Sequence, residues 1–393
     1  MFDRFVRIMR PALAALVLGL GLAAGESQAD TVSYQGFLRD DDGSPLAGPV
    51  DLTFRIYSAA SGGSALWTES FTDVGLVDGV FSILLGQTTP LTETLFSATP
   101  LICTGLAVTV AFRAGLFNIG AQGQLIIGAL LAGWVGFGLN LPGGLHMAVA
   151  LLVGLIGGAL WGGVVGLLKA RTGAHEVILT IMLNYVALYL LTWLLTTPLL
   201  QRPGFSEPLS PVVHETARFL TWPGTRLHAG FLVALLAAGL IWWLLGRSTV
   251  GFELRAVGAN PEAARTAGMS VGRTYVLAML LAGALAGLAG VQQVLGGNLP
   301  LSPGIAASIG FDGITVALLG RGTPWGTVAA GLLFGALNAG GQAMELATQT
   351  PDTLSTVLQA TIVLFIAAPA LVRAVFRIRS KGAATVEAKG WSA

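Results

Sequence analysis

The residue types that most often do chemistry in proteins are sparse in this sequence. The single cysteine, Cys103, excludes an intramolecular disulfide and a cysteine metal cage. Four scattered histidines argue against a histidine metal site. Nothing matches G-x-x-x-x-G-K followed by Ser or Thr, so the chain has no phosphate-binding loop for ATP. We therefore predict no catalytic residues, no metal site and no cofactor bound by this chain.

Side-chain amides within apolar segments are the remaining candidates for a chemical role. They are Asn118, Gln122, Gln124, Asn184, Asn338 and Gln342, with Gln292 and Gln293 of the same kind. Uncompensated polar groups are costly in a bilayer, so such amides face protein or a cavity. Asn338 and Gln342 are spaced i, i+4 and share a helix face. We predict that these amides line a path for a polar solute; helix packing through interhelical hydrogen bonds is the alternative.

Composition indicates the environment in which these amides must work. Of 393 residues, 54% are apolar and 10% are charged, against about 25% charged in an ordinary soluble protein. Mean hydropathy is +0.75. This composition excludes a soluble enzyme, and the net charge of +1 implies no nucleic-acid partner. The lipid bilayer is the expected partner of most of the chain.

Apolar stretches predict a mainly α-helical polytopic membrane protein of about nine to ten spans, with a small N-terminal β domain. Ala12–Ala24 forms a first apolar run. The stretches 99–112 and 309–320 are short and suggest broken or re-entrant elements. The nine stretches after residue 91 are 99–112, 115–139, 146–168, 176–197, 228–246, 274–295, 309–320, 324–346 and 356–376.

The distribution of basic residues predicts the topology. With the N-terminus inside and alternating spans, sixteen of the 21 Lys and Arg residues fall on the cytoplasmic side. This bias follows the positive-inside rule. One additional or missing span would spoil it. Residues 31–90 are then exported, and 379–393 form a cytoplasmic tail.

The N-terminal part differs in composition from the rest. Residues 1–30 combine Arg4, Arg7 and Arg10 with an apolar run and Ser27-Gln28-Ala29, typical of a signal peptide or a signal anchor. Residues 31–90 alternate polar and apolar positions in four segments, which predicts a small exported β-sheet module. The segments are Val32–Leu38, Val50–Tyr57, Ala65–Phe71 and Gly79–Leu85.

The loop between the spans 228–246 and 274–295 contains a predicted short helix outside the bilayer. Asn260 is a favoured N-cap, Pro261 suits the first helical position, and Glu262 suits the positive end of the helix dipole. Gly268 can adopt the left-handed conformation that ends a helix. Such a helix is a candidate docking element for another protein; a plain connector is the alternative.

Glu262-Ala263-Ala264, with Gly268 four residues after Ala264, resembles the EAA-x-x-x-G loop of ABC importer permeases. Three further stretches are similar to permeases of the nucleoside and simple-sugar type, and the resemblance covers residues 91–378. They are Ala111–Gln124, Thr180–Tyr185 and Gly310–Gly320. The chain departs from the family at Gln122, where Glu is usual, and at His175, where Asn is usual.

The resemblance implies the partners and the location. Glu262, Ala263, Ala264 and Gly268 would couple the chain, through the loop 251–273, to a separate ATPase subunit that binds ATP and Mg²⁺. A substrate-binding protein on the extracytoplasmic side and a second permease subunit, identical or different, would complete the importer in a bacterial plasma (inner) membrane.

Several alternatives remain open at this point. The related branched-chain amino acid permeases have a similar loop. A membrane-anchored surface β module without a transport role is a different class of function. The N-terminal segments stand in place of the family's own first helix and the loop after it. The junction near Leu91 fits either an authentic domain fusion or a spliced gene or assembly error.

Overall fold

The computed structural model describes residues 32–38, 50–57, 65–74, 80–85, 90–222, 225–297, 299–348 and 353–367. The predicted signal segment and the predicted tail lie outside these residues. Helices dominate the described chain. They are α1 Pro90–Arg113, α2 Ala121–Gly138, α3 Leu145–Thr172, α4 Glu176–Leu194, α5 Gly230–Arg247, α6 Thr249–Ala259, α7 Pro261–Thr266, α8 Val271–Val291, α9 Ile309–Leu319, α10 Pro324–Thr348 and α11 Thr353–Ala367. A π-helical turn, Gln292–Gly296, continues α8.

Four strand segments precede the helices, at the positions where the alternation predicts strands. They are β1 Val32–Phe37, β2 Val50–Tyr57, β3 Ala65–Val74 and β4 Val80–Leu85. β1 pairs antiparallel with β4, and β2 pairs antiparallel with β3. The described strands therefore form two separate two-stranded ladders. These ladders do not show a β domain, so the small β-sheet module of residues 31–90 stays a prediction.

Within the described residues, each of the nine apolar stretches after residue 91 coincides with a helix. Six helices are long and apolar enough to cross a membrane, and α9 is a shorter apolar helix as predicted. The six are Leu91–Arg113, Ala121–Gly138, Leu145–Thr172, Glu176–Leu194, Gly230–Arg247 and Val271–Gly296. The chain is mainly helical and built to span a membrane several times. The tenth predicted span, Ala12–Ala24, lies outside the described residues.

Two details of the span prediction are wrong. The stretch 99–112 is not a short element, because α1 has 24 residues and continues through Pro100. Its first turns look too polar for a span, but Glu93 there pairs with Arg226 at 3.5 Å. The stretch 115–139 contains one candidate span, Ala121–Gly138, but that span begins later than predicted, because residues 114–120 separate α1 from α2. We call residues 114–120 the break.

Helix ends gather at two opposite ends of the bundle, as alternating spans require. At one end, which we call the basic end, Arg113 donates to the Gly322 carbonyl at 2.7 Å and Lys169 pairs with Glu176 at 2.6 Å. At the opposite end, Ser210 hydroxyl accepts from the Leu301 N–H at 2.9 Å. The positive-inside rule predicts that the basic end faces the cytoplasm.

Close helix packing depends on glycine stripes. Gly154, Gly158, Gly162 and Gly166 recur every fourth residue and so lie on one face of α3. A Cβ added at Gly158 would meet the backbone of Gly283 and Gly287 in α8. Small residues at such spacing let two helix backbones approach closely within a membrane. α3 and α8 thus pack against each other at backbone contact.

Candidate functional site

Two regions contain the predicted functional residues. The first is the α6–α7 loop at the basic end, residues 248–270. α6 begins at the N-cap Ser248, whose hydroxyl accepts from the Gly251 N–H at 2.9 Å. α7 begins at the N-cap Asn260, whose Oδ1 accepts from the N–H groups of Glu262 and Ala263, each at 3.0 Å. Both caps satisfy N–H groups that a helix start leaves free.

Gly268 ends α7 in the left-handed region, with φ +85°. The Met269 N–H returns to the Ala264 carbonyl at 3.0 Å, which closes the end of the helix as a glycine C-cap does. The short helix, its N-cap and its terminating glycine are thus confirmed. An added Cβ at Gly268 would meet nothing within 4 Å, so only the backbone conformation restricts this position.

The four predicted coupling residues differ in their exposure to solvent. Glu262, Ala263 and Gly268 are exposed, whereas Ala264 is 3% exposed and packs in a cluster with Val257 and Val271. This cluster fixes α7 between α6 and the start of α8. The loop therefore presents a small, ordered ridge to the solvent at the basic end.

The same loop contacts the break directly. Gly258 in α6 lies so close to the break that an added Cβ would meet the Arg113 carbonyl and, at 2.8 Å, the Gly115 nitrogen. Gly115 has φ +73°, so glycine suits both sides of this contact. The α6–α7 loop and the break between α1 and α2 are therefore in backbone contact.

Amide side chains hold the break in its conformation. Asn118, which is fully buried, donates to Gln124 Oε1 at 3.0 Å and accepts from the Gly120 N–H at 2.9 Å. Asn184 of α4 accepts from the Gly123 N–H at 2.8 Å and donates to the Ile119 carbonyl at 3.0 Å. These amides replace the backbone hydrogen bonds that an interrupted helix lacks.

Gln122 joins α2 to the start of α9. Its Nε2 donates to the Ala307 carbonyl at 2.6 Å, and its Oε1 accepts from the Gly310 N–H at 2.8 Å. A neutral amide can make both bonds, whereas a carboxylate would lose the donor. Asn118, Gln122, Gln124 and Asn184 therefore all have hydrogen-bond partners at or next to the break, and their role in a path stays a prediction.

Asn184→Ala should destabilise the membrane domain by about 1–3 kcal/mol, because it leaves the buried Gly123 N–H without an acceptor. The measurement is thermal unfolding of the detergent-solubilised protein. Asn140→Ala, at an exposed position, is the matched control and should leave the unfolding temperature unchanged. Equal unfolding temperatures for the two variants would show that the Asn184 amide is not structural.

The second region is a cavity of about 350 Å³ near the opposite end of the bundle. The walls come from α1, the π-helical turn after α8, the start of α9, α10 and α11. Asn338 and Gln342 both line it, which confirms that their i, i+4 spacing places them on one face. Gln292 and Gln293 line it as well. The cavity thus contains Asn338 and Gln342, the two path candidates that form no contacts at the break.

Several residues at the cavity were not predicted from the sequence as site residues. Phe96, Ser308, Asp312 and Gln359 line the wall. The Ser308 hydroxyl donates to Asp312 Oδ2 at 2.7 Å, and Gln359 donates to Asn338 Oδ1 at 2.6 Å. The sequence signal for this pair was Ser308, a polar residue four positions before Asp312 and so within reach of its side chain.

His228, in the loop before α5, completes the cavity wall as an uncharged ring. Burial and, secondarily, the nearby Arg226 charge lower the pKa of His228 to about 4. Its Nδ1 accepts from the Gly230 N–H at 3.1 Å, which assigns the proton to Nε2. The ring stacks on Phe219 with centroids 5.6 Å apart. At neutral pH His228 therefore adds no positive charge to the cavity.

Comparison with known families gives two matches. The family described as branched-chain amino acid transport system / permease component matches residues 91–367. A domain of unknown function matches residues 33–124, and so crosses the boundary near residue 91. The first match includes every predicted site residue and both regions described above.

Three curated relatives are similar over most of their length. The guanosine ABC transporter permease protein NupP of Bacillus subtilis (strain 168) is 40% identical, over 86% of this chain and 94% of its own. The glucose ABC transporter permease protein TsgB13 of Haloferax volcanii is 36% identical, over 78% of this chain and 83% of its own. The nucleoside ABC transporter permease protein NupB of Lactococcus lactis subsp. cremoris (strain MG1363) is 34% identical, over 81% and 90%.

Proposed function

This chain belongs to the branched-chain amino acid transport system / permease component family, and we propose that it is the transmembrane permease subunit of an ATP-driven importer for nucleosides or simple sugars. The exposed, capped α7 at the basic end carries the proposal, because it is an ordered docking ridge attached to the membrane helices. The similarity to permeases named for guanosine, nucleosides and glucose supports the substrate class.

The permease itself is not an enzyme, and ATP hydrolysis belongs to a separate subunit. The relatives are permease proteins of ABC transporters. ATP and Mg²⁺ are bound by that partner, and this chain needs no cofactor. Its work is conformational: it alternates access to a solute path when the bound ATPases open and close.

Coupling runs from Glu262, Ala263, Ala264 and Gly268 to the break. The exposed residues Glu262, Ala263 and Gly268 contact the ATPase, and buried Ala264 transmits the motion through the α6–α7 loop. The backbone contact between Gly258 and Gly115 supports this route. Asn118, Gln122, Gln124 and Asn184 then position the break at the edge of the solute path.

The partners follow from the same mechanism. An ATPase subunit docks on the basic end in the cytoplasm, and an extracytoplasmic substrate-binding protein docks on the opposite end. A second permease subunit, identical or different, completes the path. The permease is a multi-pass protein of the bacterial plasma membrane. No nucleic acid is involved.

The N-terminal segments form an exported addition to the permease. Residues 1–30 direct export as a signal peptide or a signal anchor, and residues 31–90 form a small β module on the extracytoplasmic side. The strand segments β1–β4 support this proposal. The permease domain then covers residues 91–378, and 379–393 form the cytoplasmic tail.

Uptake competition tests the substrate class. In cells that express the chain with its ATPase and its substrate-binding protein, labelled guanosine or glucose should accumulate in an ATP-dependent manner. Excess unlabelled nucleoside or sugar should suppress the accumulation, and excess leucine should not. Competition by leucine alone would favour the branched-chain amino acid alternative. Full activity of residues 30–90 as a soluble domain, without any uptake, would favour the membrane-anchored surface module.

A further inference from the structure

One residue in the wall of the cavity near the opposite end, Gln292, has a buried acceptor without a hydrogen-bond donor among the described residues. Gln292 is 1% exposed and lines the cavity, and its Oε1 has no hydrogen-bond partner. The Nε2 of the same amide donates to the Gly230 carbonyl at 3.0 Å, which fixes the orientation of the side chain. A buried acceptor without a donor is unfavourable, and native proteins rarely retain one without a functional reason.

Pro100, in the middle of α1, removes one helical hydrogen-bond donor beside the cavity. Proline has no N–H, so α1 cannot supply the usual donor to the carbonyl four residues earlier, that of Phe96. Phe96 and Pro100 both line the cavity. The π-helical turn Gln292–Gly296, on the facing wall, is also of a kind that often marks functional sites.

The remaining polar groups favour a neutral ligand that is rich in hydrogen-bond donors. Asp312 contributes a carboxylate, which accepts hydrogen bonds, and Asn338 and Gln342 contribute amides. The lining contains no Lys or Arg among the described residues. Arg226 stacks on Phe96, with 4.4 Å from its guanidinium carbon to the ring centroid, and pairs with Glu93. A ligand with a carboxylate or a phosphate would therefore meet a carboxylate and no free cation of the wall.

We infer that this cavity is the binding site of the permease for its solute and that it recognises the hydroxyl groups of a neutral sugar ring. The ring is the ribose of a nucleoside or a free sugar, since both present the same donors. This inference rests on the proposed function and adds a site to it. Gln292 Oε1 and the Phe96 carbonyl accept from ring hydroxyls, and Asp312 disfavours phosphorylated forms.

Substrate protection of an introduced cysteine tests this site without the binding protein. Gln342 is exposed to the cavity, so Gln342→Cys should react with a water-soluble thiol reagent in the purified permease–ATPase complex. The native Cys103 is 0% exposed and should contribute little background. Guanosine or glucose should slow the labelling. A 2′,3′-dideoxynucleoside should slow the labelling only at about tenfold higher concentration, since it lacks the ring hydroxyl donors.

Guanosine monophosphate and leucine should give no protection, because one adds a phosphate and the other a carboxylate. Gln201→Cys, in the loop at the same end but outside the cavity, is the matched control. It should be labelled at the same rate with or without solute. Protection by guanosine identifies a nucleoside ribose, and protection by glucose identifies a free sugar; either result supports the site.

Gln292→Met removes the acceptor directly. In the Gln342→Cys background it should weaken protection about tenfold and should abolish the preference for the nucleoside over its dideoxy analogue. Equal labelling of Gln342→Cys with and without guanosine and glucose would overturn the site. If uptake persists in that case, the importer function stands and only the cavity assignment fails. Failure of uptake for every nucleoside and sugar would instead overturn the proposed function.

Discussion

Gly268→Val should abolish uptake while leaving the yield of solubilised protein normal. Gly268 has φ +85°, a conformation in which a Cβ costs roughly 1–2 kcal/mol and a β-branched side chain more. The position is otherwise open, so the substitution changes only the end of α7 and the surface beside it. The ridge on which we propose that the ATPase docks is thereby deformed. The measurements are uptake per permease molecule and the amount of ATPase that co-purifies.

Glu262→Lys should have the same effect by a different route. It reverses the charge of the exposed residue that pairs with Arg265 at 3.0 Å. An exposed ion pair contributes little to stability, so the loss of coupling should exceed any loss of folded protein. Gly268→Asn, which tolerates the left-handed conformation better than Val, should retain part of the uptake.

Gly204→Val is the matched control for both variants. Gly204 has φ +81°, and an added Cβ there would also meet nothing within 4 Å, but it lies in the loop at the opposite end. The backbone strain is therefore equal, and ATPase recovery should stay normal. Normal uptake and normal ATPase recovery in Gly268→Val and Glu262→Lys would contradict the coupling role. Reduced yield with normal uptake per molecule would show that the loop is a structural connector.

The α6–α7 loop could be predicted from the sequence because its determinants are local. Asn260, Pro261 and Gly268 each act within a few residues, through a cap, a fixed φ and a left-handed terminus. The structure shows the same helix between the same residues. The burial of Ala264 could not be predicted in this way, because it depends on Val271 in the next helix.

The path residues were less predictable, since an amide in an apolar segment indicates a polar partner without identifying it. Asn184 finds its partners at Gly123 and Ile119, about sixty positions earlier in the chain. Asn338, in an equally apolar segment, instead lines the cavity. The difference arises from tertiary packing. The Phe96 carbonyl illustrates the same limit, because Pro100 indicates a carbonyl without its usual helical donor but does not indicate the cavity beside it.

Gly158→Val should prevent the membrane domain from folding. A Cβ at this position would lie 2.6 Å from the Gly287 Cα and 2.9 Å from its nitrogen, and would also meet the Gly283 carbonyl. These are backbone atoms, so no rotamer change can relieve the overlap, and α3 must move away from α8. Overpacking ordinarily costs about 1–3 kcal/mol, and separation of the central helix pair should exceed that range. The measurements are membrane-inserted yield and size-exclusion profile in detergent.

Two other helical glycines, Gly163 in α3 and Gly239 in α5, distinguish the effect of backbone contact from that of replacing a glycine. An added Cβ at Gly163 would meet only the flexible end of the Leu280 side chain, at 2.7 Å from its Cδ2. Gly163→Val should therefore lower the unfolding temperature without abolishing folding. Gly239→Val lies in α5, where an added Cβ meets nothing within 4 Å. It should be neutral or stabilising by a few tenths of a kcal/mol, because valine is a better helix former than glycine. Similar yields for all three variants would mean that α3 and α8 are not held at backbone contact. The glycine stripe would then not determine the helix packing on which the cavity and the break depend.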